Sequence, residues 1–189
     1  MKRLFAALKI YPDADFLKTY RKLKADLHHE PIKWVEESNI HITLKFFGET
    51  DERRISVISS GLGKRAGSTA SFQLQLAGLG IFGSSYAPRV IWVGIEPFDE
   101  LSLLMKNIQN DLAAVGFEAD RQNLVPHLTL GRIKSLHDKI LFGRTLDKFR
   151  NIASAPAAIE EVILYESILH REGPEYIALD RYPLKKELP

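Results

Sequence analysis

The chain has 189 residues, of which 45% are hydrophobic and 26% charged, and its formal net charge is +2. These values are typical of an ordinary globular protein with a sizeable core. The mildly basic balance, without long runs of lysine or arginine, favours a partner with a few phosphates over a long nucleic-acid duplex. The chain contains no cysteine, which excludes disulfides, thiolate nucleophiles and thiolate metal sites.

The first residues, Met1-Lys2-Arg3 followed by an apolar run over residues 4–8, show the order of charge and apolar character of a signal peptide. The run covers five residues before Lys9. That is shorter than the ~7–15 residues that a signal peptide needs. We therefore expect a buried first strand in a cytoplasmic protein that does not enter a membrane.

Hydrophobic periodicity divides the chain into strands and helices. A period of two predicts strands, and apolar residues three and four apart predict amphipathic helices, the first of them capped by Asp13. The predicted strands are residues 4–10, 40–47, 72–76, 89–95, 127–130, 159–169 and 176–184, and the predicted helices are residues 13–28, 51–62, 101–115 and 136–149.

One short motif occurs twice. His41-Ile42-Thr43-Leu44 recurs as His127-Leu128-Thr129-Leu130, at an offset of 127 − 41 = 86 residues. A single histidine on a strand is more often structural than catalytic. Its repetition with a threonine at the same spacing reverses that expectation for both copies.

The two faces of each motif strand differ in polarity. Successive side chains point to opposite faces, so each histidine shares a face with the threonine two residues later. The other face of the first copy is apolar, and we expect it to face the core: Ile40, Ile42, Leu44 and Phe46. Two such strands across a cleft would present two imidazoles and two hydroxyls to a ligand.

The same offset brings further positions of the two halves into register. We infer an internal duplication of a β-α-β-α-β unit over about residues 4–89 and 90–175, with a closing strand at 176–184. Residues 1–189 then form a single bilobal domain of the α+β class. We expect a pseudo-two-fold pair of antiparallel or mixed sheets that form a central cleft, with helices packed on the outer faces.

The two motifs in their context resemble those of a known family. Asn39-Ile40-His41-Ile42-Thr43-Leu44-Lys45-Phe46-Phe47-Gly48-Glu49 and Pro126-His127-Leu128-Thr129-Leu130-Gly131-Arg132 are similar to the paired motifs of the two-histidine (2H) phosphoesterases. Within these, the chain resembles the RNA 2′,3′-cyclic phosphodiesterase branch, also called 2′-5′ RNA ligase-like. The likeness extends to Pro88-Arg89-Val90-Ile91-Trp92 and Leu164-Tyr165-Glu166-Ser167.

The resemblance implies a substrate and a role for each histidine. His41 would be the proton donor to the leaving 3′-oxygen and His127 the proton acceptor that activates water, which leaves a 2′-phosphomonoester. The same site run in reverse, with a 5′-hydroxyl in place of water, would join RNA through a 2′-5′ linkage. The expected partners are RNA ends with a 2′,3′-cyclic phosphate, tRNA fragments among them, and we expect a monomer.

The residues themselves suit this chemistry. Opening a cyclic phosphate needs a nucleophilic water on one side of phosphorus and a proton for the departing oxygen on the other. Histidine titrates near neutral pH, so one ring can accept a proton while the other donates one. The hydroxyls of Thr43 and Thr129 can donate to the non-bridging oxygens. We expect no cofactor and no metal, because one histidine per strand lacks the ligand spacing of a zinc site.

Arg132 follows the second motif and is a further candidate phosphate ligand, because a guanidinium offers a fork of donors. It lies five residues after His127, so a flat strand would point it to the opposite face. The chain must therefore bulge or end near Gly131 for Arg132 to face the cleft. Arg89 and Tyr165, on neighbouring strands, are candidate cleft-lining residues, with packing or solvent exposure as the alternative.

Two other functions fit the same sequence. A non-catalytic module could hold phosphorylated RNA ends, although arginine and lysine would serve binding without two histidines and two threonines. A cyclic phosphodiesterase could act on small nucleotides. We interpret Trp92 and Phe72 as core residues, and the remaining histidines as surface or loop residues: His28, His29, His137 and His170.

Overall fold

The computed structural model describes residues 1–84, 86–118, 125–171 and 173–186. Within these ranges the chain forms nine strands and four α-helices. The strands are β1 (Lys2–Lys9), β2 (Ile32–Trp34), β3 (His41–Thr50), β4 (Phe72–Gly83), β5 (Pro88–Glu96), β6 (Leu128–Ile133), β7 (Ala157–Ile159), β8 (Glu161–Leu169) and β9 (Pro174–Pro183). The helices are α1 (Ala14–Asp26), α2 (Ile55–Gly67), α3 (Asp99–Ala113) and α4 (Lys139–Lys148).

The predicted elements occur in the predicted order, and the differences have local causes. Helix α4 begins at Lys139 instead of 136, because the Asp138 carboxylate caps it by accepting from the Leu141 N–H at 2.8 Å. The predicted strand 159–169 is divided between β7, which pairs with β4, and β8, which pairs with β1 and β9. Strand β2 was not predicted, because three residues are too few to show a period.

The strands form two antiparallel sheets, which confirms the α+β class. The first sheet has the order β3-β1-β8-β9 and the second has the order β2-β6-β5-β4-β7. The two motif strands, β3 and β6, belong to different sheets and contact each other. The cleft therefore has one motif on each wall.

The two predicted repeats are interlocked. Strand β4, from residues 4–89, pairs with β5 in the second sheet, while β8, from residues 90–175, pairs with β1 in the first. Each repeat thus gives its first strand and its motif strand to one sheet, β1 and β3 or β5 and β6, and its last long strand, β4 or β8, to the other. The boundary between the repeats is consequently not the boundary between the sheets.

The helices cover the outer faces of the sheets. Helices α2 and α3 pack together, α3 against β3 and α2 against β8 and β9, so they cover the first sheet. Helix α1 packs on the second sheet, where the buried Tyr20 hydroxyl donates to the Leu130 carbonyl at 2.9 Å. Helix α4 lies beside α1, with the Lys148 ammonium 2.7 Å from the Asp26 carboxylate.

One contiguous hydrophobic core joins both sheets to the helices, and it includes Leu8 of β1, Leu62 of α2 and Leu128 of β6. A smaller cluster on the other face of the first sheet contains Phe5 and Tyr165. No helix among the described residues is long and apolar enough to cross a membrane.

Both motif strands bulge at the leucine that follows the threonine. In β3, Thr43 lies opposite Ala7 and Lys45 opposite Ala6, so Leu44 has no partner. In β6, Thr129 lies opposite Trp92 and Gly131 opposite Ile91, so Leu130 has no partner. The two bulges are separated by the motif offset, 130 − 44 = 86 residues.

The bulge in β3 corrects the prediction for Phe46. We expected Phe46 on the core face, but its side chain is 51% exposed and its ring lies 5.8 Å from that of Phe5 in the cleft-side cluster. The extra residue at Leu44 reverses the alternation beyond it. Lys45 is turned inward for the same reason and is 2% exposed, and its ammonium donates to the Gln109 side-chain carbonyl at 2.8 Å.

Gly80 provides a test of packing in the second sheet. It lies opposite Trp92, and a β-carbon at this position would overlap the indole ring. We expect Gly80→Ala to lower the free energy of unfolding by about 1–3 kcal/mol, because the rigid ring must move. Urea denaturation followed by tryptophan fluorescence would measure the change.

Gly143→Ala is the matched control. Gly143 lies inside α4 with no atom within 4 Å of an added β-carbon, so the substitution should raise stability by roughly 0.5–1 kcal/mol. Equal effects of the two alanines would contradict the close packing of Trp92 on Gly80.

Candidate active site

The site is the cleft between the two sheets. His41 is the first residue of β3, and His127 directly precedes β6. The register pairs His41 with Lys9 and Thr43 with Ala7, two residues apart on β1, so the histidine and the threonine share a face. Four motif side chains are half-buried and therefore border both protein and solvent: His41, Thr43, His127 and Thr129.

The two histidines have the same hydrogen-bonding arrangement. Nδ1 of His41 lies 2.6 Å from the Asn39 carbonyl, and Nδ1 of His127 lies 2.8 Å from the Val125 carbonyl. A carbonyl oxygen can only accept, so Nδ1 carries the proton in both rings. In the neutral state Nε2 is then unprotonated, and in the charged state it is a donor. Each ring can therefore accept a proton at Nε2 when it is neutral and donate one from Nε2 when it is charged.

Aromatic rings hold His41 in the wall formed by the first sheet. The ring centroids of Phe5 and His41 are 5.1 Å apart, and Tyr176 of β9 lies edge-on to His41 at 5.2 Å and 84°. Tyr165 stacks on Phe5 at 5.2 Å. The Asn39 side-chain amide donates to the Pro174 carbonyl at 3.0 Å and so connects the start of β9 to the start of β3.

The wall formed by the second sheet holds His127 in a comparable way. Phe82 of β4 lies edge-on to the imidazole, with centroids 4.7 Å apart and planes at 90°. Trp92 of β5 lies 6.5 Å from the same ring. Trp92 is half-buried on the cleft side and not in the core as we predicted, because it pairs with Thr129, which shares the face of His127.

Burial lowers the pKa of both histidines. For His41, desolvation of the imidazolium is the main cause, opposed by the hydrogen bond to the Asn39 carbonyl, and the positive charges of Lys9, Arg132 and His127 lower the pKa further. For His127, burial again lowers the pKa, the Val125 carbonyl opposes it, and Arg132 lowers it further. Both rings therefore favour the neutral form in the free protein.

Arg132 faces the cleft because of the bulge at Leu130. Its partner on β5 is Val90, and the partner of Thr129 is Trp92, two residues further on, so Arg132 and Thr129 share a face although they are three residues apart. This bulge is the distortion near Gly131 that the sequence analysis required for Arg132 to face the cleft. Its charge acts on both imidazoles and also lowers the pKa of Tyr176 against the larger effect of burial, which raises it.

The other two candidates lie in cavities beside the motifs. Tyr165 lines a cavity of about 200 Å³ together with His41 and Tyr176. Arg89 lines a cavity of about 640 Å³ that also contains Arg132. The structure thus places Tyr165 on the side of His41 and Arg89 on the side of Arg132.

Tyr176 and Phe82 are among the residues at the site that were missed from the sequence. Tyr176 belongs to the closing strand, and only the pairing of β9 with β8 brings it to His41. Phe82 lies at the end of β4, where the alternating pattern fades. The signal for both was an aromatic residue near the end of a strand, but that pattern does not identify the strand it will face.

The other histidines lie elsewhere. His170 is exposed and pairs with Glu175 at 2.9 Å in the turn between β8 and β9. The exposed His28 bonds the Ala25 carbonyl at the end of α1. The half-buried His29 and the exposed His137 adjoin the buried carboxylate of Glu30, away from the motifs.

A cleft between two antiparallel sheets, with a His-x-Thr motif on each wall, defines a two-histidine phosphoesterase. The model of the LigT-like phosphoesterase family matches residues 10–92 and, separately, residues 93–176. The chain belongs to this family.

Relatives of known name agree with this assignment. The chain is 36% identical to the RNA 2′,3′-cyclic phosphodiesterase of Thermotoga maritima, over 77% of this chain and 76% of the relative. It is 32% identical to the protein of the same name from Methanocaldococcus jannaschii, over 92% and 96% of the two chains.

Solved structures share the fold. A Thermus thermophilus protein superposes with a TM-score of 0.78 at 24% identity, covering 98% of this chain and all (100%) of the other. Escherichia coli LigT complexed with 3′-AMP has a TM-score of 0.74 at 24% identity, covering 97% and 98%. At this identity the likeness concerns the fold.

The action of Arg132 on both histidines can be tested directly. We expect Arg132→Gln to raise the pKa of His41 and of His127, because removing a positive charge makes protonation of each ring less costly. Titration of the imidazole resonances by NMR would follow both rings in one sample. Lys18→Gln, on the exposed face of α1, removes the same charge elsewhere and serves as control. Unchanged titration of both rings in Arg132→Gln would place the guanidinium away from the cleft.

Proposed function

We propose that the protein hydrolyses RNA 2′,3′-cyclic phosphate ends to 2′-phosphomonoesters, with His41 as proton donor and His127 as proton acceptor. The observation that carries the proposal is the pair of imidazoles with Nδ1–H held on a backbone carbonyl and Nε2 left for a ligand. The relatives named RNA 2′,3′-cyclic phosphodiesterase support the choice of substrate.

Burial prepares His127 for its role. A general base must present an unprotonated nitrogen, and the lowered pKa of His127 keeps Nε2 in that form near neutral pH. It takes a proton from the attacking water on one side of phosphorus. The Nδ1–H bond to the Val125 carbonyl then stabilises the imidazolium that results.

His41 must carry a proton on Nε2 when the 3′-oxygen leaves, although burial lowers its pKa in the free protein. A bound phosphodiester brings a negative charge next to the ring, and this charge offsets the positive neighbours that depress the pKa. The substrate thereby promotes the protonated form of its own proton donor. Because the pKa of both histidines falls in the free protein, the assignment of donor and acceptor rests on the family resemblance.

Three further side chains would hold the phosphate. Thr43 and Thr129 each share the face of a histidine and offer one hydroxyl proton to a non-bridging oxygen. Arg132 offers a charged fork of donors from the same face as Thr129. Negative charge that spreads over the non-bridging oxygens in the transition state is met by these groups.

Ligation uses the same groups with a 5′-hydroxyl in place of water. His127 would take the proton of the 5′-hydroxyl as its oxygen bonds to phosphorus, and His41 would protonate the leaving 3′-oxygen, which leaves a 2′-5′ linkage; cleavage of that linkage to a cyclic end is the reverse of this step. The proposal also includes this ligation, action on tRNA fragments and a monomeric state.

The central claim is tested by incubating the protein with a short RNA that ends in a 2′,3′-cyclic phosphate and identifying the terminal phosphate of the product. Binding without conversion would favour the non-catalytic module.

Alanine substitutions test whether the histidines act as a pair. His41→Ala and His127→Ala should each lower kcat by ~10²-fold or more, and the double variant should lose much less than the product, since residues acting in one step are not additive. Thr43→Ala and Thr129→Ala should lose roughly 10–100-fold, as expected for one hydrogen bond to a charged oxygen. Steady-state kinetics of the variants would measure these losses. Near-normal turnover in either histidine variant would remove that residue from the mechanism.

A substrate with a good leaving group separates donor from acceptor. An aryl phosphodiester releases a phenolate that needs no proton, so it should restore activity to His41→Ala and not to His127→Ala. The pH profile gives a second distinction: loss of the acceptor should remove the acidic limb of the bell, and loss of the donor the alkaline limb. Selective restoration of His127→Ala would exchange the two roles.

Hydrolysis should continue in excess chelator. Among the described residues, no group of three or more His, Cys, Asp and Glu side chains is arranged to hold a metal ion. The proton transfers and the hydrogen bonds to phosphate are supplied by side chains alone in the proposed mechanism. Rates measured with and without EDTA would test this, and a loss of activity restored by a divalent ion would contradict it.

A further inference from the structure

A basic groove lies beside the cleft, at the end of β6 and the start of β5. It is the cavity of about 640 Å³ mentioned above. Arg132 lines the groove at the end nearest the cleft, and its charge acts on both histidines. The side chains that give the groove its character are Tyr86, Arg89, Arg132, Lys134 and Lys139.

The charges of the basic groove are not neutralised within the described part of the chain. No aspartate or glutamate is among the described residues that line it. Glu30, in the adjoining cavity, is buried, and its carboxylate accepts from the backbone N–H groups of His137 and Asp138 at 2.7 and 2.9 Å. The carboxylate of Asp138, next to Lys139 in the chain, caps α4 by accepting from the Leu141 N–H at 2.8 Å. Lys33 adds another exposed cation, because it lies directly opposite Arg132 in the β2–β6 pairing. The groove therefore presents a concentrated positive potential to an anion.

The basic groove is too long for the reacting phosphate alone. Lys134 follows His127 by 134 − 127 = 7 residues. At about 3.3 Å per residue this separates their backbones by roughly 20 Å along the strand. A single nucleotide held between the histidines cannot contact the far end. The outer cations are consequently placed to meet phosphates that lie beyond the reactive one.

An exposed aromatic ring accompanies the cations. Tyr86 is 77% exposed, and the ammonium of Lys139 lies 3.7 Å from the centroid of its ring. The cation restrains the ring through a cation–π contact and leaves much of the side chain accessible to solvent. Cations that follow the backbone and an aromatic face on which a base can stack are the features of single-stranded nucleic-acid sites.

We infer that the basic groove binds the backbone phosphates of the RNA strand that carries the cyclic end, on its 5′ side, with Tyr86 as a stacking platform for a base. This inference rests on the proposed function. Arg132 belongs both to the groove and to the cleft face of β6, so a strand whose terminal phosphate meets Arg132 continues directly into the groove, and the strand with the cyclic end is the one that hydrolysis requires. A second RNA with a free 5′-hydroxyl has the same phosphodiester chemistry, and the experiment below distinguishes the two strands.

The test compares a long and a short substrate. Lys134→Gln/Lys139→Gln would be assayed on a 2′,3′-cyclic mononucleotide and on an RNA of about eight nucleotides with the same end. We expect the ratio of kcat/KM for the RNA to kcat/KM for the mononucleotide to fall ~10-fold or more. The slope of log kcat/KM against log salt for the RNA should become shallower by about 0.7 for each cation removed. A ratio and a slope equal to those of the wild type would overturn the inference.

Matched variants separate the basic groove from general charge. Lys18→Gln/Lys22→Gln removes two exposed cations from α1, outside the groove, and should leave the ratio unchanged. Tyr86→Phe should keep the preference for RNA, whereas Tyr86→Ala should reduce it, because only the ring stacks. An equal loss in the α1 variant would show that net charge and not the groove attracts RNA.

Two further measurements distinguish the strands and the possible failures. If the Lys134 and Lys139 substitutions weaken only joining to an RNA with a 5′-hydroxyl and leave the hydrolysis ratio unchanged, the inference is overturned in favour of the second strand. If the wild type converts neither cyclic substrate, the proposed function fails. Fluorescence anisotropy with a 3′-phosphorylated RNA then still tests the groove, since the substitutions should weaken binding and reduce its salt dependence.

Discussion

The bulge after each motif threonine determines which side chains reach the cleft. In a flat strand the third residue after the threonine would return to the core, but the unpaired Leu44 and Leu130 bring Phe46 and Arg132 to the cleft face. A bulge leaves backbone groups outside the regular ladder, and these need other partners. The Leu130 carbonyl accepts from the Val35 N–H at 2.8 Å and lies 2.9 Å from the buried Tyr20 hydroxyl, which is also 2.7 Å from the Val35 carbonyl. The Gln109 side-chain amide approaches the Leu44 carbonyl at 3.4 Å. Helices α1 and α3 thus stabilise the local distortions on which the site depends.

The burial of the imidazoles has opposite consequences for an empty and an occupied cleft. Without a ligand, desolvation and the charge of Arg132 lower the pKa of both rings, and the backbone carbonyls that accept from Nδ1–H limit the effect. With a phosphodiester between them, the same low-dielectric surroundings strengthen the attraction between the anion and a protonated ring. A positive cleft that disfavours its own protonation is therefore well suited to a substrate that brings the compensating charge. Aromatic neighbours such as Phe5 and Phe82 contribute to the exclusion of water without adding charge.

Much of the fold and the pairing of the two histidines could be predicted from the sequence, because both follow from the distances between residues along the chain. The period of the apolar residues identified the long elements, and the offset of 86 residues between His41 and His127 identified the paired walls. The exchange of β4 and β8 between the sheets could not be predicted, since pairing between β8 and β1 is a long-range choice that leaves no local pattern. The direction of Phe46 was wrong for a related reason: a single unpaired residue reverses the alternation without changing composition. Gln109, a polar residue within the apolar stripe of α3, was the available sign that a buried backbone group needed a partner.

The two walls carry the same motif at one offset, yet the proposed acid–base mechanism requires them to differ. The histidines, the threonines and the bulges repeat at one offset, and the residue that each bulge turns to the cleft does not: Phe46 on one wall and Arg132 on the other. An aromatic ring adds apolar surface beside His41, whereas a guanidinium adds a fixed positive charge and leads into the basic groove. A phosphate bound between equivalent imidazoles would have no preferred orientation. Because the bulge turns a guanidinium to the cleft on one wall and an aromatic ring on the other, the two sides of a phosphate bound between the imidazoles differ, and in the proposed mechanism this difference can convert a symmetric pair of histidines into a donor and an acceptor.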